Sequence, residues 1–98
     1  MPDTPSKKEH FISRAETLLL ENIARENFGV SELAEAMNMS RSSLLRKCKK
    51  QTALSASQFI RQIRLEEAME LLHDSDLTVS EVSYQVGFGS TSYFIKCF

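Results

Sequence analysis

The feature that most constrains the fold of this chain is a short motif that occurs twice. Residues 30–33 (Val-Ser-Glu-Leu) and residues 79–82 (Val-Ser-Glu-Val) match at an offset of 49. In both copies an amphipathic stretch with helical spacing leads into a turn and then into a second helical stretch with polar residues in its first turns. This order is typical of the helix-turn-helix motif, and two copies are a stronger signal than one.

Two alignments of the repeat compete after the turn. An offset of 49 keeps identities such as Cys48 with Cys97, whereas an offset of 50 pairs Leu44 with Phe94 and Cys48 with Phe98. We prefer 50 because it preserves which residues face inward, and close packing fixes that phase more tightly than identity does. The second unit is then predicted to have a turn that is one residue longer.

The rest of the sequence predicts an all-α fold, because strand-like alternation is absent and apolar residues recur at helical spacing. Capping residues mark the expected helix starts: the capping boxes Ser6 with Glu9, Ser55 with Gln58 and Thr78 with Glu81, and the N-caps Ser40 and Ser90. We predict helices near residues 6–25, 30–37, 41–51, 55–73, 78–86 and from 90 onward. The fourth is too apolar to be free and should be the spine of the fold. The predicted organisation is an N-terminal linker (1–8), a first helix-turn-helix subdomain (9–54), a connecting helix (55–75) and a second helix-turn-helix subdomain (76–98).

The charge distribution points to a phosphate-facing surface, although the net charge is only −1. Residues 41–64 contain seven lysines and arginines and no acid, whereas the segments on either side are net acidic. A cation excess confined to one window gives the molecule an oriented field, as expected of a surface that binds nucleic acid. A solvated basic face is the alternative explanation of the charge alone.

Composition and spacing argue against several other classes of protein. No apolar run is long enough to span a membrane, and the N-terminus lacks the apolar stretch of a secretory signal. The two cysteines do not form a disulfide framework and are expected to be small buried hydrophobes in a reducing cytoplasm. His10 and His73 stand alone, without other ligands at metal-binding spacing, and no phosphate loop or nucleophile elbow is present. We therefore expect neither an enzyme nor a metal or cofactor site.

Three stretches together resemble the AraC/XylS family of transcription regulators: VSELAEAMNMSRSSLLRKCKKQT, FIRQIRLEEAMELL and TVSEVSYQVGFGSTSYFIKCF. The resemblance covers about residues 10–98 and implies two DNA-binding helix-turn-helix units on a shared long helix. It is greatest to output domains that follow a receiver in hybrid two-component sensor-regulators. It implies double-stranded DNA and RNA polymerase as partners, with a signalling or receiver domain elsewhere in the full-length protein.

The resemblance also implies a difference at the C-terminus. Family members continue through the rest of the sixth helix into a short seventh helix that packs over the second unit. Because this sequence stops at Phe98, we expect a fragment whose C-terminal helix is missing and whose second unit is truncated.

Candidate DNA-binding residues follow from the way a recognition helix enters the major groove by its N-terminal turns. In the third helix the candidates are Arg41, Ser42, Leu45, Arg46, Lys49 and Lys50; in the sixth they are Thr91, Ser92, Ile95 and Lys96. Arg46 is the best base reader, because its planar fork matches guanine O6 and N7, although a phosphate contact is the alternative. The resemblance places family readers on Ser42, Leu45 and Arg46. Lys96 has no such fork, so the second unit should bind more by phosphate than by base.

Two questions stay open at this point. Arg64 on the spine helix is either an ion-pair partner of Glu66 or Glu67 or a DNA contact. The chain as a whole is alternatively a protein-interaction module that kept the architecture without DNA affinity. The basic window speaks against that second class, because an adaptor has no reason to keep such a face free of acids.

Overall fold

The chain folds into six α-helices separated by short turns. A computed structural model describes the backbone of residues 7–97 and the side chains of residues 10–97. The helices are α1 (Lys7–Glu21), α2 (Val30–Ala36), α3 (Arg41–Thr52), α4 (Ala56–Asp74), α5 (Val79–Gln85) and α6 (Thr91–Cys97). Within these residues there is no β-strand, and no helix is both long and apolar enough to cross a membrane. The all-α prediction is confirmed.

Side-chain caps begin the later helices where the sequence predicted them. Ser40 Oγ accepts a hydrogen bond from the Ser43 backbone N–H at 3.1 Å, and Ser90 Oγ accepts one from the Tyr93 N–H at 3.3 Å. Both reciprocal bonds of the capping boxes at the starts of α4 and α5 are present. The predicted box of Ser6 with Glu9 lies outside the described side chains.

The first helix ends earlier than predicted, at Glu21 rather than near Arg25. The apolar spacing through Ile23 suggested a longer helix, but the Asn22 side-chain amide donates to the Leu18 carbonyl at 2.8 Å and ends it. The next backbone bonds span three residues, as in a tight turn: Asn22 to Leu19 at 3.2 Å and Arg25 to Asn22 at 3.0 Å. Residues 22–29 therefore form a linker, and its last residue, Gly29, accepts the first hydrogen bond of α2 from the Leu33 N–H at 2.9 Å.

Helix α4 is shared by two separate hydrophobic cores. Its N-terminal half, through Ile63, packs on α1, α2 and α3 around Leu19, Leu33 and Leu44. Its C-terminal half, from Ala68, packs on α5 and α6 in a second core of buried residues: Ala68, Val82, Val86, Phe88 and Phe94. The predicted spine is confirmed, with one helix-turn-helix unit at each end. Met69 and Val79, although apolar and in phase, are exposed.

The two units have equivalent turns. Asn38 and Gly87, which are 49 residues apart, both have positive φ, at 57° and 82°. Beyond them the Met39 N–H bonds to the Ala34 carbonyl and the Phe88 N–H bonds to the Ser83 carbonyl. The second turn contains one additional residue, Gly89, so the longer turn is confirmed.

The inward phase of the second helix in each unit is also confirmed. Leu44 and Phe94 are almost completely buried, at 0% and 1% exposure. The pairing of Cys48 with Phe98 lies outside the described residues. Cys48 is buried as expected, whereas Cys97 is only half-buried, and both thiols are free.

Candidate nucleic-acid interface

The basic window of the sequence becomes an exposed, unpaired set of cations. Six of its seven members are exposed: Arg41, Arg46, Lys47, Lys49, Lys50 and Arg61. Among the side chains that the structure describes, no arginine or lysine forms a salt bridge with a carboxylate. The positive charge is therefore available to an external anion rather than neutralised within the chain.

On α3 the predicted contact residues form one solvent-facing stripe. Ser42, Leu45, Arg46 and Lys49 follow the spacing i, i+3, i+4, i+7 and are all exposed. The opposite side of the helix carries the buried residues Leu44 and Cys48. Leu45 keeps 39% of its surface exposed, although its neighbour Leu44 has none. An exposed leucine between an arginine and short polar side chains suits contact with a thymine methyl group.

Two predicted contact residues also connect the two helices of their unit. Arg41 Nη1 donates to Ser31 Oγ at 3.0 Å, and Thr91 Oγ1 donates to Ser80 Oγ at 3.1 Å. Arg41 and Thr91 occupy equivalent positions at the start of the second helix of each unit. Each therefore ties that helix to the first helix of the same unit.

The basic end of α3 contains a further internal contact. Lys49 Nζ donates to the Ala53 carbonyl at 3.1 Å, beyond the helix end, where Ala53 has φ of 64°. Lys47 lies on another side of the helix, with Nζ 5.9 Å from the centre of the Phe11 ring. The side chains of Ser42, Arg46 and Lys50 make no hydrogen bond to any described residue. Among the polar candidate contact residues of α3, these three side chains are therefore free to bind an external partner.

Helix α6 repeats the stripe of α3 with weaker groups. Ser92, Ile95 and Lys96 are exposed, and Thr91 is half-buried. Ile95 is 60% exposed at the position equivalent to Leu45. Phe94 lies in the core, as predicted, with its ring edge-on to that of Phe88 at 5.2 Å. Tyr93 is 47% exposed, and Phe98 lies outside the described side chains.

Acidic side chains near these helices act as caps. The Glu81 carboxylate accepts from the Thr78 backbone N–H at 2.9 Å, and the Glu32 carboxylate accepts from the Gly29 N–H at 3.0 Å. These backbone hydrogen bonds lower the pKa of both carboxyl groups from the ordinary value of 4.5. The acids of the two units are thus engaged at the starts of α2 and α5.

Both sequence-based interpretations of Arg64 are wrong. It does not pair with Glu66 or Glu67, and it is not a surface group that could contact DNA. Its side chain is 6% exposed and its guanidinium donates to four backbone carbonyls. Burial lowers its pKa, partly opposed by Glu26. A signal for burial was present in the sequence: Ile60 and Ala68, one turn away on either side, share the apolar stripe of α4. What the sequence did not reveal was the source of the carbonyls, which lie far away along the chain.

No group of three or more histidine, cysteine or acidic side chains within residues 10–97 is placed to hold a metal ion. The candidate contact residues offer hydrogen bonds, positive charge and exposed apolar groups on α3, and the same kinds of group on α6.

Comparison with known proteins decides the family. The model of a family described as a helix-turn-helix domain matches residues 33–98, which is more than half of the chain. The chain belongs to the AraC/XylS family. It is a DNA-binding domain of a transcription regulator and not an enzyme.

Individual relatives of this AraC/XylS-family domain are much longer than the chain. It is 38% identical over 90 residues to "Histidine kinase P4" of Formosa agariphila. The aligned segment covers 92% of this chain and 7% of that protein. It is 37% identical over 73 residues to the "HTH-type transcriptional regulator MtrA" of Neisseria gonorrhoeae, which covers 74% of this chain and 24% of that regulator. The chain thus spans at most about a quarter of these curated relatives.

Solved structures give the same assignment. The C-terminal domain of AraT, a response regulator from Geobacillus stearothermophilus, superposes with a TM-score of 0.81 at 27% identity, covering 95% of this chain and 77% of that one. The C-terminal domain of the two-component response regulator yesN from Fusobacterium nucleatum gives a TM-score of 0.77 at 28% identity, covering 91% and 94% of the two chains. The architecture of the domain is therefore shared with the C-terminal domains of these response regulators.

Proposed function

We propose that this AraC/XylS-family domain binds double-stranded DNA sequence-specifically, with each helix-turn-helix unit reading one major-groove half-site. The observation that carries this proposal is the repeated stripe. Leu45 with Arg46 on α3 and Ile95 with Lys96 on α6 occupy equivalent positions, and all four are exposed. Recognition helices contact base edges with residues in their N-terminal turns. There an apolar side chain can touch a thymine methyl group, and a cation can bond to guanine.

The half-sites should lie about one turn of DNA apart. Helix α4 has 19 residues and is therefore roughly 28 Å long at 1.5 Å per residue. A spacer of this length can hold two reading helices about 34 Å apart, which is one helical turn or about 10 base pairs. A single compact site would leave one of the two stripes unused.

The two units should differ in how they read DNA. Arg46 has a planar fork that can form two hydrogen bonds to guanine, whereas Lys96 is a point charge that suits a phosphate. Ser42, Leu45 and Arg46 would carry most of the base contacts, with Arg41, Lys49 and Lys50 positioning the first unit on the backbone. Thr91, Ser92 and Ile95 would add weaker contacts in the second unit.

The remainder of the full-length protein would supply the signal. The similar proteins named above include a histidine kinase and two response regulators, which supports a role as the output domain of a two-component regulator. In that role the domain would work in the cytoplasm, downstream of a receiver or other signalling domain, and act on transcription together with RNA polymerase.

Selection of bound duplexes from a random pool tests the proposal. The recovered sequences should contain two short preferred blocks with centres about 10 base pairs apart. Selection repeated with Arg46→Ala should lose preference at one base pair of one block, since a bidentate contact contributes about 1–3 kcal/mol of discrimination. Lys96→Ala is the matched control and should weaken all sequences about equally.

Three results would contradict parts of this proposal. A single compact block would remove the two-site arrangement. Base preference lost with Lys96→Ala but kept with Arg46→Ala would reverse the roles of the two units. Recovery of no preferred sequence would favour the protein-interaction class.

A further inference from the structure

The turn of the second unit is in unusually close contact with the first unit. A Cβ atom on Gly87 would overlap with Arg64 Nη1 and would lie 2.5 Å from the Ile23 carbonyl oxygen. A Cβ atom on Gly89 would overlap with the Glu26 carboxylate. Ile23 and Glu26 both belong to the α1–α2 linker, residues 22–29. The backbone at Gly87 thus lies directly against that linker, whereas the neighbour of Gly89 is the end of an exposed, flexible side chain.

The equivalent turn of the first unit shows that positive φ alone does not explain the glycine at position 87. Asn38 occupies the position of Gly87 with φ of 57°, so a side chain is tolerated in this turn conformation. Asn38 is exposed, whereas Gly87 is buried. The absence of a side chain at Gly87 is therefore required by the approach of Arg64 and the linker, and not only by the turn.

Arg64 connects the two sides of this contact. Its Nη1 donates to the Ile23 carbonyl at 2.6 Å and to the Val86 carbonyl at 2.8 Å. Its Nη2 donates to the Arg25 carbonyl at 3.0 Å and to the Phe28 carbonyl at 2.9 Å. The four N–H groups of the two terminal nitrogens thus match four acceptors. Three acceptors belong to the linker and the fourth to the turn of the second unit.

Arg64 lies on α4 at the boundary between the two hydrophobic cores. Ile63 is the last α4 residue of the first core, and Ala68 is the first buried α4 residue of the second. Arg64 therefore lies where one core ends and the other begins. Ile23 from the linker also packs against the second core, on the same side of the boundary as Val86.

We propose that Arg64 and Gly87 form a fixed joint that sets the placement of the second unit relative to the first, and thereby the half-site spacing that the domain accepts. Arg64 is a positioning residue in this proposal and does not touch DNA. The proposal rests on the two-half-site binding proposed above. Guanidinium geometry matters here, because a lysine ammonium has three N–H groups at one atom and cannot reach four separate carbonyls.

A distance measurement between the units tests the joint without DNA. Glu35→Cys and Tyr84→Cys place spin labels at equivalent exposed sites on α2 and α5, in a background with Cys48→Ala and Cys97→Ser. The distance distribution measured by pulsed electron paramagnetic resonance should be narrow with Arg64 present. It should broaden at least about twofold with Arg64→Met and by a smaller factor with Arg64→Lys, since fewer carbonyls are held. Arg61→Met is the matched control, because Arg61 is exposed one turn earlier on the same helix, and it should leave the distribution unchanged.

A DNA measurement tests the consequence for spacing. Affinities are compared for duplexes with two half-sites whose centres are about 9 to 12 base pairs apart. The original sequence should prefer one spacing by roughly tenfold, equivalent to about 1.4 kcal/mol. Arg64→Lys should reduce that preference to about twofold or less, while its affinity for an isolated first half-site stays within about twofold. A purely structural role would lower both affinities together and keep the spacing preference.

The outcomes separate this proposal from the proposed function. An unchanged distance distribution in helical Arg64→Lys protein, or an unchanged spacing preference, overturns the joint. If Arg64→Met does not fold, Arg64→Lys alone decides. If the original sequence shows no spacing preference, two-half-site binding fails, and the distance measurement still shows whether Arg64 fixes the units.

Discussion

Two arginines show how strongly position determines what one side chain does. Arg46 is exposed on α3 and has no partner among the described residues, whereas Arg64 is buried and saturated by backbone carbonyls. Both use the planar fork of the guanidinium, which lysine lacks. For Arg46 the fork would face a base, and for Arg64 it binds carbonyls of the α1–α2 linker and of the second turn. Replacement by lysine is therefore informative at both sites.

Arg46→Lys distinguishes a base contact from a phosphate contact. If Arg46 reads guanine, lysine keeps the charge but loses the paired hydrogen bonds, so discrimination at one base pair should fall by about 1–3 kcal/mol. Affinity for non-specific DNA should hardly change. Competition binding with one-base variants of the selected site measures both quantities. Retained discrimination with lysine would identify Arg46 as a phosphate contact.

The capping carboxylates predict a defined pH dependence of stability. Folding lowers the pKa of Glu32 and Glu81 below 4.5, so the stability they contribute is present above that pH and is lost as the pH falls through their folded pKa. The double variant Glu32→Gln, Glu81→Gln can still accept the capping hydrogen bonds but does not titrate. Thermal unfolding between about pH 6 and pH 3 should therefore show a shallower loss of stability in the variant.

The matched control for this experiment is Glu35→Gln, a carboxylate on α2 for which the structure shows no capping bond. It should keep the acid sensitivity of the original sequence. A double variant that loses stability as steeply as the control would show that these caps do not drive the acid response.

At the scale of the element, α3 has two faces with separate tasks. Leu44 and Leu45 are neighbours in sequence, yet one is buried in the first core and the other is 39% exposed beside Arg46. The helix begins at a serine cap and lies against α2 through the bond of Arg41 to Ser31. The face with Leu44 packs in the core and fixes the position of the helix, and the face with Leu45 remains exposed for binding.

Alanine substitutions at the two leucines should separate these tasks. Leu44→Ala removes a fully buried side chain and should lower the free energy of unfolding by about 2–5 kcal/mol. Leu45→Ala should change it by less than about 0.5 kcal/mol, as surface substitutions do, but should weaken DNA binding. Chemical denaturation and DNA titration of the same two proteins check this. Equal stability losses would mean that Leu45 is also part of the core.

The elements that sequence predicts well are those specified by local chemistry. Ser40, Ser55 and Thr78 bond to backbone groups three residues away, so their sequence context contains the whole interaction. The phase of α3 and α6 follows in the same way from the spacing of their apolar residues. The exposed stripe was predictable because it is the complement of that buried phase.

The end of α1 and the role of Arg64 were missed for different reasons. A local bond from Asn22 to Leu18 ends the helix, whereas the role of Arg64 depends on residues far apart in the chain. Arg64 bonds to carbonyls between 22 and 41 residues away. Those of Ile23 and Arg25 are accessible only because α1 ends at Glu21. Apolar periodicity continues past that point and gives no warning of the break. The sequence therefore predicts α3 and α6 individually, but it does not predict how they are placed relative to each other.

At the scale of the whole molecule, the exposed cations are grouped on and near α3 while acids dominate elsewhere. Because none of these cations forms a salt bridge within the described residues, DNA phosphates would be their counterions. Binding then releases ions from the DNA, and log affinity falls with log salt by about 0.9 for each phosphate neutralised.

Lys50→Ala should reduce that salt slope by about one and weaken all DNA sequences nearly equally. Arg14→Ala is the matched control, because Arg14 is an exposed cation on α1 outside the basic window. It should leave the slope unchanged. Titrations at several salt concentrations give both slopes, and an equal effect of the two substitutions would mean that the charge is not oriented.

The central claim is that two equivalent units read two half-sites together, and the most direct measurement is the effect of turning one half-site around the DNA. Inserting about 5 base pairs between the half-sites rotates the second by half a helical turn. The account predicts that affinity then falls to that of a duplex whose second half-site is scrambled. Inserting a full turn, or deleting the first half-site, should lower the affinity at least as much. An affinity that does not change with the half-turn insertion would contradict the account.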